Sequence, residues 1–424
     1  MSTEELSRAA PDRRRFAILA VVWVSYLMVY LARLSVGPLS PFLKDAFRLS
    51  NTQVGTLISA TALTYAPTLI VAGWLVDRLG VRRMLVAGTL IASGCVSLLF
   101  FANSYPRLLV LLGLSSFGSG CIYPSAVKAV MLWFPVRERA TAIGANQTAI
   151  NVSGIIGAVT LPALASGLGW QYGFLAIGLV GLAIAAVCIV GYRDPPAARI
   201  APDDLAASRA DGAVAPSARR LLASGDVWLL GSAGLFLGVV EYSTLAHLVL
   251  YLNRQYLFTA VAAGGLLALC QASGAVAKPL SGLVSDRLLG GRRRPALLAL
   301  ATVTLVSCLV LAAGGGRLAW GLYIVIALLG FAAVGWGGLF GTVAGEIGGH
   351  EAAGQVAGFT AAGVNVGIVF GPPAFGAVVD SSGSYGLAWL LMAAASIAAI
   401  VCLALLKEPR AETPGAAIPA LADA

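Results

Sequence analysis

The chain has 424 residues, of which 58% are hydrophobic and only 11% are charged, and its mean hydropathy is +0.87. Soluble domains carry roughly 25% charged residues, so this composition excludes a water-soluble globular fold. The formal net charge of +9 leaves nucleic-acid binding open until the positions of the charges are considered.

Apolar runs recur along the whole chain, and each is long enough to cross a bilayer as a helix of about 20 residues. The predicted spans cover approximately residues 16–41, 53–76, 83–102, 106–132, 140–163, 172–191, 227–250, 260–284, 295–313, 318–343, 354–378 and 385–406. The first run is longer than a signal-peptide core and lacks a clear cleavage site, so we expect it to remain in the mature chain. We therefore predict an all-α membrane protein with twelve transmembrane helices.

Basic residues outside these runs are distributed unevenly. They concentrate in the amino-terminal segment, in the loops after the second, fourth and eighth runs, in the central linker and at the carboxyl end. The alternate loops hold only Lys44, Arg48, Arg107, Arg254 and Arg317. By the positive-inside rule, both termini are expected in the cytoplasm, with the protein in a bacterial inner membrane. The basic surplus is thus a topological signal, and no nucleic-acid partner is expected.

Residues 193–226 interrupt the apolar pattern with Arg, Asp, Pro and Ser, as expected of an exposed connector. This linker separates a first half, 1–192, from a second half, 227–410, and a flexible tail follows at 411–424. The halves repeat each other, because Asp77 and Asp286 lie 209 positions apart and the same offset relates Ser50 to Thr259. We predict two pseudo-symmetric six-helix bundles with a substrate site near the midplane between them.

A glycine- and arginine-containing loop follows the second span. Residues 73–83 read GWLVDRLGVRR, and a degraded copy begins at Gly282 in the second half. The first copy resembles the Gly-x-x-x-Asp-Arg-x-Gly-x-x-Arg loop of the major facilitator superfamily. That resemblance implies the major facilitator fold, and it implies that the loop is a gate latch of the outward-open state. The implied gating residues are Gly73, Asp77, Arg78, Gly80, Arg83, Asp286 and Arg287.

A narrower resemblance covers mainly the first half. It rests on residues 30–36 (YLARLSV), 49–55 (LSNTQVG), Tyr123-Pro124, 133–135 (WFP) and 138–140 (ERA). These segments are similar to the anion:cation symporter and organophosphate transporter branch, which includes sialic-acid, hexuronate and galactonate carriers. The resemblance implies transport of an organic anion by alternating access. Ser50 and Gln53 also form a capping-box pattern, which predicts a helix start at this point.

Few ionisable side chains fall inside the predicted spans, and each is a candidate for function because it is costly to insert. The resembled branch places an anion-binding arginine at Arg33, whose alternative role is in a structural ion pair. Lys278 lies about two helical turns from the end of the eighth span. It is either a second anion ligand or the partner of Glu241 in a salt bridge.

Glu241 in the seventh span is the candidate proton-coupling carboxylate, with His247 as a second candidate. The resembled branch carries acidic residues where this chain has Ala32 and Ser119. The 209-residue offset places Glu241 opposite Ala32, so the carboxylate is expected in the other half at an equivalent depth. Proton symport through Glu241 and proton-independent exchange or facilitated diffusion both remain open.

Several polar side chains within the spans are candidate substrate ligands or, alternatively, hydrogen-bonded ties between helices. They are Tyr30, Tyr65, Asn146, Gln147, Asn151, Tyr242 and Asn365. The fifth span lacks the Gly-Pro step of the drug-antiporter signature, which weakly disfavours drug efflux.

The pattern of reactive residues excludes other classes. Two histidines at unrelated places and six cysteines within apolar runs form no catalytic or metal-binding constellation, so no enzyme, metal or cofactor is expected. The expected partners are a small organic anion, protons and the lipid bilayer, and the expected state is a monomer. A drug/proton antiporter and a ligand sensor built on the same fold are the remaining alternatives.

Overall fold

The structure is a computed structural model that describes residues 14–193, 224–314 and 319–407. Most of the predicted linker and all of the predicted tail lie outside these ranges. The described backbone forms α-helices, one short 3-10 helix at Leu99–Phe101 and no strand. The α-helices are α1 Arg14–Leu34, α2 Val36–Phe47, α3 Asn51–Leu79, α4 Val81–Leu98, α5 Tyr105–Trp133, α6 Val136–Gly167, α7 Trp170–Gly191, α8 Gly225–Tyr256, α9 Ala260–Arg287, α10 Arg293–Ala312, α11 Ala319–Ala333, α12 Gly337–Ser382 and α13 Tyr385–Leu405.

Twelve segments of these helices are long and apolar enough to cross a membrane. Span 1 combines α1 and α2, spans 2 to 9 correspond to α3 to α10, and span 12 is α13. Span 10, Trp320–Gly348, joins α11 to the start of α12, and span 11, Gln355–Ser382, is the rest of α12. The predicted all-α fold with twelve membrane-spanning helices is confirmed.

Each hydrophobic cluster is formed mainly by one half, and two clusters also include a few residues of the other half, Ala158 in one and Ala246 and Ile368 in the other. In the first half, buried clusters form around Leu39, Leu57 and Phe174 and around Tyr26 and Tyr192. In the second half, one cluster surrounds Tyr251, Phe375 and Trp389, and another surrounds Trp336 and Phe340. These cores hold each six-helix bundle together as a unit.

The internal repeat is visible in the backbone. Ser50 caps span 2 by accepting from the Gln53 amide, and the predicted capping box is complete because the Gln53 side chain accepts from the Ser50 amide. Its counterpart Thr259 caps span 8 by accepting from the Ala262 amide. Just before these caps, Arg48 and Leu257 adopt left-handed conformations with φ of 52° and 58°. Both helix starts are thus built on one plan.

The two halves pack tightly at one end of the molecule, where spans 2 and 8 begin and spans 5 and 11 approach their ends. A Cβ atom on Gly55 would lie 2.4 Å from the backbone of Pro372, and one on Gly264 would lie 2.3 Å from the Ala158 carbonyl oxygen. Glycine is required at both positions for this approach. We call this end the closed end, and the end that carries Asp77 and Asp286 the motif end.

Two spans contain helix breaks. Span 1 is interrupted at Ser35, where Pro38 cannot donate the backbone hydrogen bond that would reach the Leu34 carbonyl. Span 10 is interrupted at 334–336, and its second part runs on into span 11 as one helix. The predicted boundary between the tenth and eleventh spans, at 343–354, agrees with spans Trp320–Gly348 and Gln355–Ser382, although the backbone stays helical across it. The break in the backbone lies instead near Gly335, which lies against Ala277 of span 8.

Candidate functional site

Arg33 is a buried cation on span 1, two residues before the helix break. It is 6% exposed, and its guanidinium carbon lies 4.1 Å from the centre of the Tyr65 ring. In the described part of the chain, Arg33 makes no hydrogen bond or ion pair, and its Nε is buried without a partner. A guanidinium offers five donors in a planar fork that matches a carboxylate. Arg33 therefore keeps free hydrogen-bonding capacity for an anion.

Three predicted ligands surround this guanidinium. Besides Tyr65 on span 2, the rings of Tyr30 and Tyr242 lie 5.8 Å and 6.0 Å from it. Tyr30 and Tyr65 bring their hydroxyl oxygens within 3.5 Å of each other. A cation over an aromatic face is stabilised by about 0.5–2 kcal/mol. Tyr242 comes from span 7, and it is the repeat equivalent of Arg33, so the site lies where the two halves face each other.

Glu241 precedes Tyr242 on span 7 and lies beside the Trp336 indole. Its carboxyl group is within electrostatic range of Lys278 and, more weakly, of Arg33. Within the described residues, neither cation forms an ion pair with it. The structure thus brings the three predicted charged residues of the membrane interior together without pairing them.

Lys278 connects the two halves at this level. Its Nζ donates to Asn151 Oδ1 of span 5 at 3.1 Å. The lysine also lines a cavity of about 450 Å³ that extends to Asp286 and Arg293 at the motif end. Small-molecule sites typically occupy roughly 300–1,000 Å³. The cavity is lined by Lys278, Pro279, Gly282, Leu283, Asp286, Arg293, Gly338, Leu339 and Thr342.

The helix break in span 10 borders the same site, and this break was not predicted from the sequence. Trp336, at its end, lies next to Glu241, and a Cβ atom on Gly338 would come 3.8 Å from the Lys278 carbonyl oxygen. Non-helical backbone at membrane depth is tolerated where it lies within protein or lines a cavity. The glycines at 335, 337 and 338 were the available signal, but they lie within an uninterrupted apolar run.

The predicted amide ligands occupy separate positions. Asn146 is buried with its Oδ1 unpartnered, whereas Gln147 accepts a hydrogen bond from the Tyr26 hydroxyl at 3.4 Å. Asn365 donates to the Ala361 carbonyl, has an unpartnered Oδ1, and lines a second cavity of about 240 Å³ that Trp336 also lines. None of the three contacts Arg33 through a hydrogen bond within the described residues.

His247 lies away from this cluster, in the packing between spans 7 and 11. It is fully buried, its Nε2 is 2.9 Å from the Pro372 carbonyl oxygen, and its ring stacks on Phe375 at 4.8 Å. Because a carbonyl only accepts, Nε2 carries the proton in this bond. These contacts give His247 a packing role at the proline-containing part of span 11.

The predicted gating loop of the first half lies at the motif end. Asp77 forms an ion pair with Lys128 of span 4 at 2.7 Å, and Arg78 stacks over Trp74 at 3.8 Å. Gly80 joins spans 2 and 3 with a φ of 84°. Gly73 would accept a Cβ without a contact, and Arg83 is exposed.

The second-half copy of the loop makes its contacts within its own half. Asp286 pairs with Arg293, which also reaches Glu346 Oε1 at 3.3 Å, while Arg287 is exposed. The ion pairs that hold Asp77 and Asp286 therefore do not join the halves in this conformation.

At the closed end, polar contacts do join the halves, and these contacts were not predicted from the sequence. Asp380 of span 11 accepts four hydrogen bonds from the start of span 2. They come from the Asn51 amide and side chain at 2.8 and 2.7 Å and from the Thr52 amide and hydroxyl at 2.8 and 2.7 Å. Lys44 Nζ donates to Asn51 Oδ1 at 2.5 Å, and Arg254 pairs with Asp45 across the halves.

Twelve membrane-spanning helices in two halves, with Arg33, Glu241 and Lys278 where the halves meet, form the architecture of a membrane carrier. The sequence profile of the Major Facilitator Superfamily matches residues 22–362, and the chain belongs to that family.

Curated relatives include transporters and a sensor. The chain is 27% identical over 285 residues to the probable sulfoacetate transporter SauU of Cupriavidus necator, covering 65% of this chain and 66% of that protein. It is 26% identical to the membrane sensor protein UhpC of Salmonella typhimurium, covering 68% of each. It is 26% identical to the D-galactonate transporter of Escherichia coli O6:H1, covering 67% of this chain and 70% of that protein. The matched regions thus span about two thirds of these relatives.

A solved structure shares the fold. The D-xylose-proton symporter superimposes with a TM-score of 0.76 at 14% identity, covering 93% of this chain and 98% of that one. The predicted superfamily is confirmed, and the likeness to galactonate carriers is supported by the curated relatives.

Proposed function

We propose that this protein is a secondary transporter that carries a small organic anion, a carboxylate or a sugar acid, by alternating access. The observation that carries the proposal is Arg33, a buried guanidinium supported by tyrosine faces and without a hydrogen-bonded partner in the described chain. A buried charge is normally paired, because leaving it unpaired costs several kcal/mol. A substrate anion supplies the missing partner, in keeping with the organic anions named for two of the relatives.

The test is uptake by proteoliposomes of a radiolabelled panel of carboxylates, sulfonates and sugar acids, with wild type and Arg33→Gln. We expect uptake of at least one anion by wild type and a loss of at least tenfold in the variant. The control is Arg107→Gln, which removes an exposed arginine near the closed end whose Nη1 donates to the Phe101 carbonyl at 3.3 Å. Equal uptake by Arg33→Gln and wild type would reject Arg33 as the anion ligand.

Proton coupling through Glu241 is part of the proposal. The groups that face this carboxyl are Lys278 and Cys270 of span 8, Arg33 of span 1, the Trp336 indole and the adjacent Tyr242. Both cations attract the Glu241 carboxylate, and a substrate anion that binds them weakens this attraction. Substrate binding thus favours protonation of Glu241, as symport requires. The alternative is exchange or facilitated diffusion, with Glu241 serving only to balance Lys278.

We also propose that the closed end faces outward and that the structure is the inward-facing form. The arginines Arg78, Arg82, Arg83, Arg287 and Arg292 lie at the motif end, which supports a cytoplasmic location of that end and of both termini. A monomer in a bacterial inner membrane is the expected setting.

A ligand sensor is the second candidate, because the name of one relative is that of a membrane sensor protein. A sensor would bind the anion without moving it. Binding measured on purified protein, combined with absent uptake and absent counterflow in proteoliposomes, would favour the sensor. Uptake of cationic dyes without anion transport would instead favour drug efflux.

A further inference from the structure

The charged side chains that meet at the candidate site divide unequally between the halves. Arg33 belongs to the first half, and Lys278 and Glu241 belong to the second. Both cations are within electrostatic range of Glu241, and neither is ion-paired with it within the described residues. One carboxylate can balance only one of the two cations, so the site keeps at least one unbalanced positive charge.

The two cations also contact different uncharged side chains. Arg33 rests on the Tyr65 ring and has an unpartnered Nε, and Lys278 donates one hydrogen bond to Asn151. An ammonium group has three donors, so two of the Lys278 donors are free of protein acceptors in the described chain. Two separate donor groups are thus available on opposite sides of the interface between the halves.

We infer that the substrate carries two acidic groups, one bound by Arg33 and the other by Lys278, while Glu241 holds a proton in the loaded carrier. This inference rests on the proposed function and narrows its substrate class. With Glu241 protonated, the two cations carry a charge of +2, which a dianion neutralises and a monoanion does not. The planar fork of Arg33 suits a carboxylate or sulfonate end, and Lys278 attracts the second acidic group as a point charge.

A two-ended substrate explains the placement of the cations on different halves. If Arg33 alone bound a monoanion, Lys278 would keep only its hydrogen bond to Asn151 and its attraction to Glu241. A dianion would instead join span 1 to span 8, and its release would separate these two attachments. Tyr30 supports this geometry, because it is close to the Arg33 guanidinium at 5.8 Å and also within electrostatic range of Lys278.

The test compares acids of equal chain length. Binding of succinate against butyrate, glutarate against pentanoate, and sulfoacetate against propionate is measured by competition on purified protein, for wild type, Lys278→Gln and Arg33→Gln. In wild type, we expect at least one diacid to bind at least tenfold more tightly than its matched monoacid. In Lys278→Gln, diacid affinity falls to that of the monoacid, and monoacid affinity is unchanged. Arg33→Gln weakens both.

The matched control is Lys128→Gln, which removes a lysine that pairs with Asp77 at the motif end and leaves the diacid preference intact. If Lys278→Gln does not fold, Lys278→Arg replaces it in the test. The arginine side chain is longer than lysine, so the preferred diacid should become shorter. An unchanged chain-length optimum overturns the inference, as does equal binding of monoacids and diacids by wild type. Equal binding of monoacids and diacids would leave the proposed transport of an organic anion intact. If no anion bound at all, the proposed function would be rejected as well.

Discussion

The carboxylate of Asp380 completes the amino-terminal cap of span 2 by accepting the amide hydrogens of Asn51 and Thr52, although Asn51 and Asp380 lie 329 residues apart in different halves. The first amides of a helix have no partner within the helix, and the positive end of the helix dipole favours an anion there. Ser50 caps the next free amide, that of Gln53. One helix end is therefore satisfied jointly by both halves, and only while the closed end is closed.

Replacing Asp380 with Asn should shift the protein toward forms whose closed end is open. The amide keeps one acceptor oxygen and loses the charge, at a cost of roughly 1.5–3 kcal/mol for hydrogen bonds to a charged group. Spin labels at Phe101 and Leu257, both exposed near the closed end, should report a larger population of long distances. Asp45→Asn, which removes the exposed pair with Arg254, should have a smaller effect. Equal distance distributions in Asp380→Asn and wild type would show that the contact of Asp380 with the start of span 2 does not hold the closed end shut.

Removing the aromatic face beneath Arg33 should weaken anion binding. Tyr65→Leu deletes a cation–π contact worth about 0.5–2 kcal/mol, which corresponds to a roughly two- to thirtyfold rise in KM for the transported anion. Tyr65→Phe keeps the ring and loses only the hydroxyl contact with Tyr30, so its KM should stay near that of wild type. The measurement is uptake kinetics in proteoliposomes. An equal rise in both variants would show that the hydroxyl, and not the ring face, is what matters.

Glu241→Gln should abolish the stimulation of uptake by an acidic exterior and preserve counterflow of the anion. Glutamine keeps the shape of the side chain and cannot carry the proton. His247→Gln is the matched comparison on the same helix. It disrupts the contact with Pro372 and the stack on Phe375, so it should lower the melting temperature and leave the response to the proton gradient intact. If His247→Gln lost that response while Glu241→Gln kept it, His247 would be the proton carrier and Glu241 would not.

Asp77→Asn should slow anion uptake without changing KM, as expected of a residue that acts on the conformational cycle. In its pair with Lys128, the Asp77 carboxylate is exposed and the lysine is half-buried, so breaking that pair should cost no more than about 1 kcal/mol. Lys128→Gln should therefore not reproduce the slow turnover. Comparable slowing in both variants would mean that Asp77 acts through Lys128 within one half.

Local signals in the sequence were sufficient for the spans, the start of span 2 at Ser50 and the candidate role of Arg33. Each depends on residues close together in the chain, such as an apolar run, a capping box or a charge within a span. The contacts that assemble the site are not local. Lys278 meets Asn151 at a separation of 127 residues, and Asp380 is one of several acidic residues near span ends with nothing in its neighbours to distinguish it.

The break at 334–336 was missed for a different reason. The residues before it are apolar, and hydropathy does not respond to the backbone conformation. What distinguishes the segment is the close approach of Gly335 to Ala277, which depends on how spans 8 and 10 pack.

Asp45 and Arg254 lie 209 residues apart, the offset that relates the two halves, and they pair with each other. They therefore face each other across the pseudo-twofold axis. In an ancestor with two identical halves, the same residue would have stood at both positions, and either two acids or two bases would have repelled each other at this contact. A complementary pair on the axis requires the two copies to differ. Covalent fusion of the copies allows this, since each position can then mutate independently of its twin.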